Sequence, residues 1–273
     1  MSIVIGSVPY LNEKPLTRWF NHTDAGRQSG IEVVYAVPSQ LATMLAAGEI
    51  SAALVSSFEY FRTPGYKIVP KVSISGQDEI LAVRAFSKLP WRLVQSVALD
   101  TSSLTSVALL KILLEDVYNT YPDFINNPPN LETMLSLADA ALLIGDLGML
   151  AQSDGLFTLD LGDAWRRLTG HPFVYAVWLG KEESLTPELV GALQTAKTWG
   201  LTQIETIALE QADLLNCPVA LCRRYLNEIM DYDLGEDELA GLEEFGLRAY
   251  HHQLLPEIRS VDVMHHRAEV STV

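Results

Sequence analysis

Cysteine is nearly absent from this chain, with two among 273 residues, Cys217 and Cys222. A C-x4-C spacing without a second pair builds neither a disulfide framework nor a zinc site, so both read as reduced thiols on a helical segment. Positive charge is scarce: Lys and Arg total 19 against 34 Asp and Glu, a formal net charge of −15. That excludes a general nucleic-acid binder, which needs a basic face against phosphate. An anionic substrate would have to be held by local dipoles rather than steered by the whole field. Long apolar runs are missing as well. The longest, Leu137 to Ala151, is cut by Asp139 and Asp146 and falls short of the ~18 residues of a membrane span. The start, Met1 to Gly6, has no basic segment ahead of an apolar one, so no secretory signal is expected. These absences predict a soluble, cytoplasmic protein with no membrane or nucleic-acid partner, and they leave room for a homodimer.

The motifs of the common enzyme classes are absent too: no H-E-x-x-H, no G-x-x-x-x-G-K-[ST], no G-x-G-x-x-G and no G-x-S-x-G. The six histidines form no site. His251-His252 and His265-His266 are adjacent pairs whose members point apart on a helix, so they are expected to be solvated. His22 and His171 stand alone.

What is present is a core and a repeated plan. Apolar residues make up 48% of the chain, enough to bury a sizeable interior. Strand signals at Ile3–Ile5, Ile31–Val37 and Ala52–Val55 alternate with helix signals at Pro15–Phe20 and Pro38–Ala47, the second closed by Gly48. That order argues for βαβ units and a parallel sheet. It recurs about 90 residues later: strand at Val97–Leu99, helix to Tyr118, a polar loop over Asn126–Asn130, helix from Leu131, strand at Ala140–Ile144. Leu41-Ala42-Thr43-Met44-Leu45 and Leu131-Glu132-Thr133-Met134-Leu135 both read L-x-T-M-L ahead of an apolar strand. Two lobes on one α/β plan follow. A strand at Phe173–Trp178 brings the chain back, and three helices, about 187–210, 218–230 and 236–252, are expected to pack on the first lobe. The tail from Val261 shows no periodicity.

Ligands of open α/β sheets bind at the carboxyl ends of strands, and four strand ends then face one cleft. Asp100 to Ser106 puts Thr101, Ser102, Ser103, Thr105 and Ser106 at the first turn of a helix, where free N–H groups and hydroxyls suit a carboxylate or phosphate. Ordinary N-capping would need one hydroxyl. Ser56 and Ser57 are candidate donors from the first lobe, and Glu59 either binds or caps. In Ser7 to Asn12, Tyr10 offers a hydroxyl and Asn12 an amide that can hold an oxygen without charge; an Asx turn is the plainer reading. After the second-lobe strand, Gly145 lies against the cleft, and Asp146 orients a hydroxyl or caps the next segment.

Ile5 to Leu16 (IGSVPYLNEKPL), Ala98 to Ser106 (ALDTSSLTS), Ala141 to Asp146 (ALLIGD) and Thr169 to Trp178 (TGHPFVYAVW) resemble the chorismate dehydratase family of the futalosine route to menaquinone, over residues 3 to about 250. The resemblance implies the two-lobed fold of type II periplasmic binding proteins, with residues 1–82 and 175–273 as the first lobe and 83–174 as the second. It implies a hydro-lyase that turns chorismate into 3-[(1-carboxyvinyl)oxy]benzoate, with no cofactor. Asn12 and Asp146 are then the expected catalytic residues, and Ser7, Tyr10, Ser56, Ser57, Glu59, Thr101, Ser102, Ser103, Thr105 and Gly145 the expected substrate contacts. No general base stands out in these motifs, which leaves the substrate's own enolpyruvyl carboxylate as a proton acceptor. A sister enzyme forming 1,4-dihydroxy-6-naphthoate has a histidine after the second-lobe strand, in an I-H-E-type motif. Here the residues are Ile144-Gly145-Asp146, which favours the dehydratase. A solute-binding protein of the same fold is the reading from another class, and the missing export signal counts against it.

Overall fold

The structure, a computed structural model, describes residues 3–100 and 102–264. Ile3–Ser7 (β1) lies between two parallel neighbours, Ile31–Tyr35 (β2) and Ala52–Ser56 (β3). Parallel neighbours need crossovers, and helices supply them: Lys14–His22 (α1) and Asp24–Gln28 (α2) ahead of β2, Pro38–Ala47 (α3) ahead of β3. Proline suits the first turn of α3, and Gly48 closes it in the left-handed region at φ 73°. β3 is buried along its whole length, as a strand covered on both faces must be. Ser57–Arg62 (α4) follows without a loop, and Tyr66–Gly76 (β4) completes the first pass.

The second lobe runs through Val83–Ser87 (β5), Ser96–Leu99 (β6), Leu104–Tyr118 (α5), Asp123–Asn126 (β7), Leu131–Leu137 (α6), Ala140–Ile144 (β8), Gly145–Leu150 (α7), Phe157–Asp160 (β9) and Leu161–Thr169 (α8). Phe173–Lys181 (β10) re-enters the first sheet. Pro187–Leu201 (α9), Ile204–Leu215 (α10), Val219–Arg224 (α11), a π-turn over Tyr225–Ile229, Met230–Asp231 (β11) and Glu236–His251 (α12) follow. Among the described residues no helix is long and apolar enough to cross a membrane.

The strand orders are β11-β4-β10-β3-β1-β2 and β7-β6-β8-β5-β9. Set β2-β1-β3-β10-β4 beside β7-β6-β8-β5-β9 and the plans coincide. Each has three parallel strands and then an antiparallel strand at a crossing between lobes. The two L-x-T-M-L segments occupy equivalent helices, α3 and α6, ahead of β3 and β8.

Three expectations need correction. The segment 187–210 is two helices, broken at Thr202-Gln203, and 218–230 gives way to the π-turn. The polar loop at Asn126 is preceded by a fifth strand of the second sheet, β7. His252 is not solvated. Its Nδ1 lies 2.7 Å from a Glu115 oxygen and its Nε2 2.9 Å from an Asp116 oxygen, and Arg248 pairs with Asp116, so α12 is bound to α5 of the second lobe.

The C-terminal helices pack on the first lobe closely enough that a Cβ on Gly200 of α9 would stand 1.8 Å from the Pro15 carbonyl oxygen. At the return crossing Trp165, Phe173 and Phe245, from α8, β10 and α12, stack edge to face with centroids 5.0–6.2 Å apart. The outgoing crossing is tied by Asp160. Its carboxylate accepts the N–H groups of Ile80 and Leu81, the latter at 2.8 Å, and caps α8 through Gly162 and Asp163.

Candidate active site

A cavity lies where β1, β3, β6 and β8 end. Tyr10 and Asn12 enter it from the segment after β1, Ser56 from the end of β3, Ser102, Ser103 and Ser106 from the start of α5, and Gly145 from the end of β8. Both crossings contribute: Ile80 and Ala82 from one, Tyr175 from the other, while Tyr225 closes the wall from the π-turn.

The expected residues divide into those on the cavity and those that hold its walls. Asn12 sits in a 3-10 turn over Leu11–Glu13, and its Nδ2 donates to the Tyr225 hydroxyl at 3.2 Å. Its Oδ1 is buried without a partner. Gly145 has φ 60°, and a Cβ there would stand 3.2 Å from the Tyr10 ring, so glycine both permits the turn and lets the ring approach. Ser102 makes an Asx turn, its N–H donating to Asp100 Oδ1 at 3.0 Å and its hydroxyl bonding the same oxygen. Ser103 caps α5, its Oγ accepting Ser106 N–H at 3.3 Å.

Ser7, Ser57, Thr105 and Asp146 are absent from the lining. Ser7 is fully buried and donates to Glu13 at 3.3 Å. Ser57 donates to Val174 O at 2.7 Å, fixing α4 on β10. Thr105 bonds the Ser56 hydroxyl, and its Oγ1 accepts Phe58 N–H at 3.1 Å. Asp146 Oδ1 accepts Leu11 N–H at 3.2 Å, tying the turn that carries Asn12 to the second lobe. Burial pushes the Asp146 carboxyl up, while the Leu11 N–H and Lys14 pull it down. Thr101 lies outside the described residues. Glu59 faces a second chamber that shares Pro38, Val55, Ser56 and Ser102 with the first. There it is held by Arg62 at 3.0 Å and Thr63 at 2.6 Å.

Tyr175 and Tyr225 were not among the expected residues. Tyr175 Oη is buried without a partner. Both phenols are pushed far up by burial, so both remain neutral hydroxyls. Among the described residues the first cavity has no carboxylate, imidazole, ammonium, guanidinium or thiol in its lining. Hydroxyls, one amide and backbone N–H groups are the polar equipment. No three His, Cys, Asp or Glu side chains of the described residues stand close enough to share a metal ion.

Two α/β lobes of one plan, crossed twice and enclosing a cleft, define a protein with the periplasmic-binding-protein fold. The structure superposes on the periplasmic aliphatic sulphonate binding protein of Escherichia coli with a TM-score of 0.66 at 14% identity, covering 95% of this chain and 90% of that one. A protein from Archaeoglobus fulgidus superposes with a TM-score of 0.76 at 19% identity, covering 93% and 98%. The chain belongs to the menaquinone biosynthesis family, whose model matches residues 3–251. It is 32% identical over 261 residues to the chorismate dehydratase of Thermus thermophilus, covering 89% of this chain and 93% of the relative.

Proposed function

We propose that this chain is a chorismate dehydratase, a carbon–oxygen hydro-lyase that converts chorismate to 3-[(1-carboxyvinyl)oxy]benzoate and water in the cytoplasm. Family membership and the Thermus relative support the pathway and the substrate. The observation that carries the chemistry is the make-up of the cavity: neutral polar groups around an apolar space, with no carboxylate, imidazole or ammonium among the described residues of its lining.

Chorismate dehydration asks for little more. The proton leaves the ring carbon that bears the enolpyruvyl ether, and its electron pair enters the ring. The C–O bond of the neighbouring hydroxyl breaks, and the hydroxide takes up a proton to leave as water. Aromatisation drives the step, and no redox partner is needed. The protein's part is to bind and orient, which alone is worth several kcal/mol, up to roughly 7–11 in the best cases. Ser102 and Ser103, with the N–H groups at the start of α5, hold one carboxylate. Asn12 faces the departing oxygen. The enolpyruvyl carboxylate of the substrate accepts the ring proton and passes it to the departing hydroxide, which leaves as water. The lobes 1–82 with 175–273, and 83–174, close over the ring.

Chorismate esterified at the enolpyruvyl carboxylate tests this assignment. It should bind and survive, whereas turnover of the ester would place the base in the protein. Binding of chorismate without turnover would favour a solute-binding role, since the same fold serves the Escherichia coli sulphonate binding protein.

A further inference from the structure

Asn12 and Tyr225 are 213 residues apart in sequence and 3.2 Å apart in the cavity wall. The Tyr225 oxygen accepts the Asn12 amide N–H, so its own hydrogen is not used in that bond. The described hydrogen bonds assign that hydrogen no acceptor. Asn12 Oδ1, on the same amide, is buried and has no donor. The pair therefore has one donor and one acceptor unused, in a wall where buried polar groups are costly to leave unpaired. Turning the amide about its Cβ–Cγ bond pairs both: the Tyr225 O–H then donates to Oδ1, and Nδ2 takes the buried position that Oδ1 held, its hydrogens left for a ligand in the cavity that Asn12 lines. Only that second arrangement suits an anionic ligand. A carbonyl oxygen beside a carboxylate or a departing hydroxide repels it, whereas an N–H donates to it.

We propose that Tyr225 is a positioning residue for dehydration: when substrate enters, its hydroxyl captures Asn12 Oδ1 and thereby holds Asn12 Nδ2 as the donor to the oxygen leaving the ring. The inference rests on the chorismate dehydratase reading. Tyr225 acts through Asn12 and transfers no proton. Tyr225 is 1% exposed and its ring packs in the core, so the hydroxyl can be removed without disturbing the wall.

Tyr225→Phe does this. Turnover of chorismate by the Phe variant should fall about 10- to 100-fold in kcat, the size of one lost hydrogen bond to a group that develops charge, with KM changed far less and melting nearly unchanged. In an Asn12→Ser background the same change should cost almost nothing more in turnover. The Asn12 side-chain amide signals in ¹⁵N-labelled protein, identified by their loss in Asn12→Ser, should move on adding chorismate to the wild type and stay put in the Phe variant. Unchanged kcat in Tyr225→Phe would overturn the inference, as would losses that multiply in the double variant or amide signals that move alike in both. If wild-type protein binds chorismate without turning it over, the function itself is wrong and the role of Tyr225 falls with it; wild-type turnover with a normal Phe variant sinks only Tyr225.

Discussion

The Thr105 backbone N–H, in the first turn of α5, donates to the Ser56 hydroxyl at the end of β3 across 2.9 Å, joining the two lobes beside the cavity. The Thr105 hydroxyl returns the contact by bonding Ser56 and accepting the Phe58 N–H. The start of α5 is thus docked on the opposite lobe by its own neighbours.

Thr105→Val keeps the shape and removes the acceptor for Phe58. A buried N–H left unpaired costs about 1–3 kcal/mol. Melting temperature should fall and KM for chorismate should rise, because the helix start is no longer held against β3. Melting curves and steady-state kinetics check this; both unchanged would show that the contact does not hold the lobes.

Ser102→Ala removes a hydroxyl from the cavity without touching the cap, which Ser103 supplies. Losing one hydrogen bond to a carboxylate costs about 1.5–3 kcal/mol. Chorismate binding, measured by KM and by calorimetry on a slow variant, should weaken at least about tenfold, with only a small drop in melting from the lost bond to Asp100. Unaltered affinity would take this helix start out of the site.

Most of the fold was legible because its signals are local. Apolar runs marked β1, β3, β6 and β8, Gly48 marked the end of α3, and the L-x-T-M-L pair marked equivalent helices. β4 was not legible. Pro70 interrupts its run, and Lys71 sits at φ 66°. The structure accommodates both where pairing with β10 is irregular, between Ser73↔Val177 and Ile68↔Leu179. β11 pairs only at Gly76 and Ser75 there, so the missing proline N–H costs no ladder bond. The four strand-end segments that line the cavity stood out because such ends carry small polar residues. Ser7, Ser57 and Thr105 belong to the same clusters as the lining serines, and residue type does not say which hydroxyl turns into the wall. Tyr225 gave no signal at all: a tyrosine in a helical segment reads as core, and only the tertiary fold sets it beside Asn12.

Asn12→Asp and Asn12→Ser separate charge from shape. Aspartate is nearly isosteric but sets a negative charge against a dianion. At ~4 Å and an effective dielectric constant near 20 the repulsion is about 4 kcal/mol. Asn12→Asp should lose far more turnover than Asn12→Ser. Equal losses with lowered melting in both would reduce Asn12 to a loop residue.

Glu13 supplies a pH test of the wall behind Asn12. It is fully buried, and burial pushes its carboxyl above the ordinary range while Lys14, Thr17 and Ser7 pull it down. A carboxyl whose folded-state pKa is raised favours the fold below its unfolded pKa, and that contribution is lost as the pH rises through the folded value. Glu13→Gln keeps the size and cannot titrate. The melting temperature of wild type minus that of Glu13→Gln should therefore fall as the pH rises above the ordinary glutamate range. A difference that grows with pH would mean that the Lys14 pair outweighs burial.

Turnover of chorismate itself decides most. The protein, treated exhaustively with chelator and dialysed, is mixed with chorismate, and the products are resolved by chromatography and mass spectrometry. Chorismate should disappear over many turnovers and be replaced one for one by 3-[(1-carboxyvinyl)oxy]benzoate, lighter by one water, with no metal or nucleotide added. Chorismate recovered intact from protein that demonstrably binds it would contradict the account.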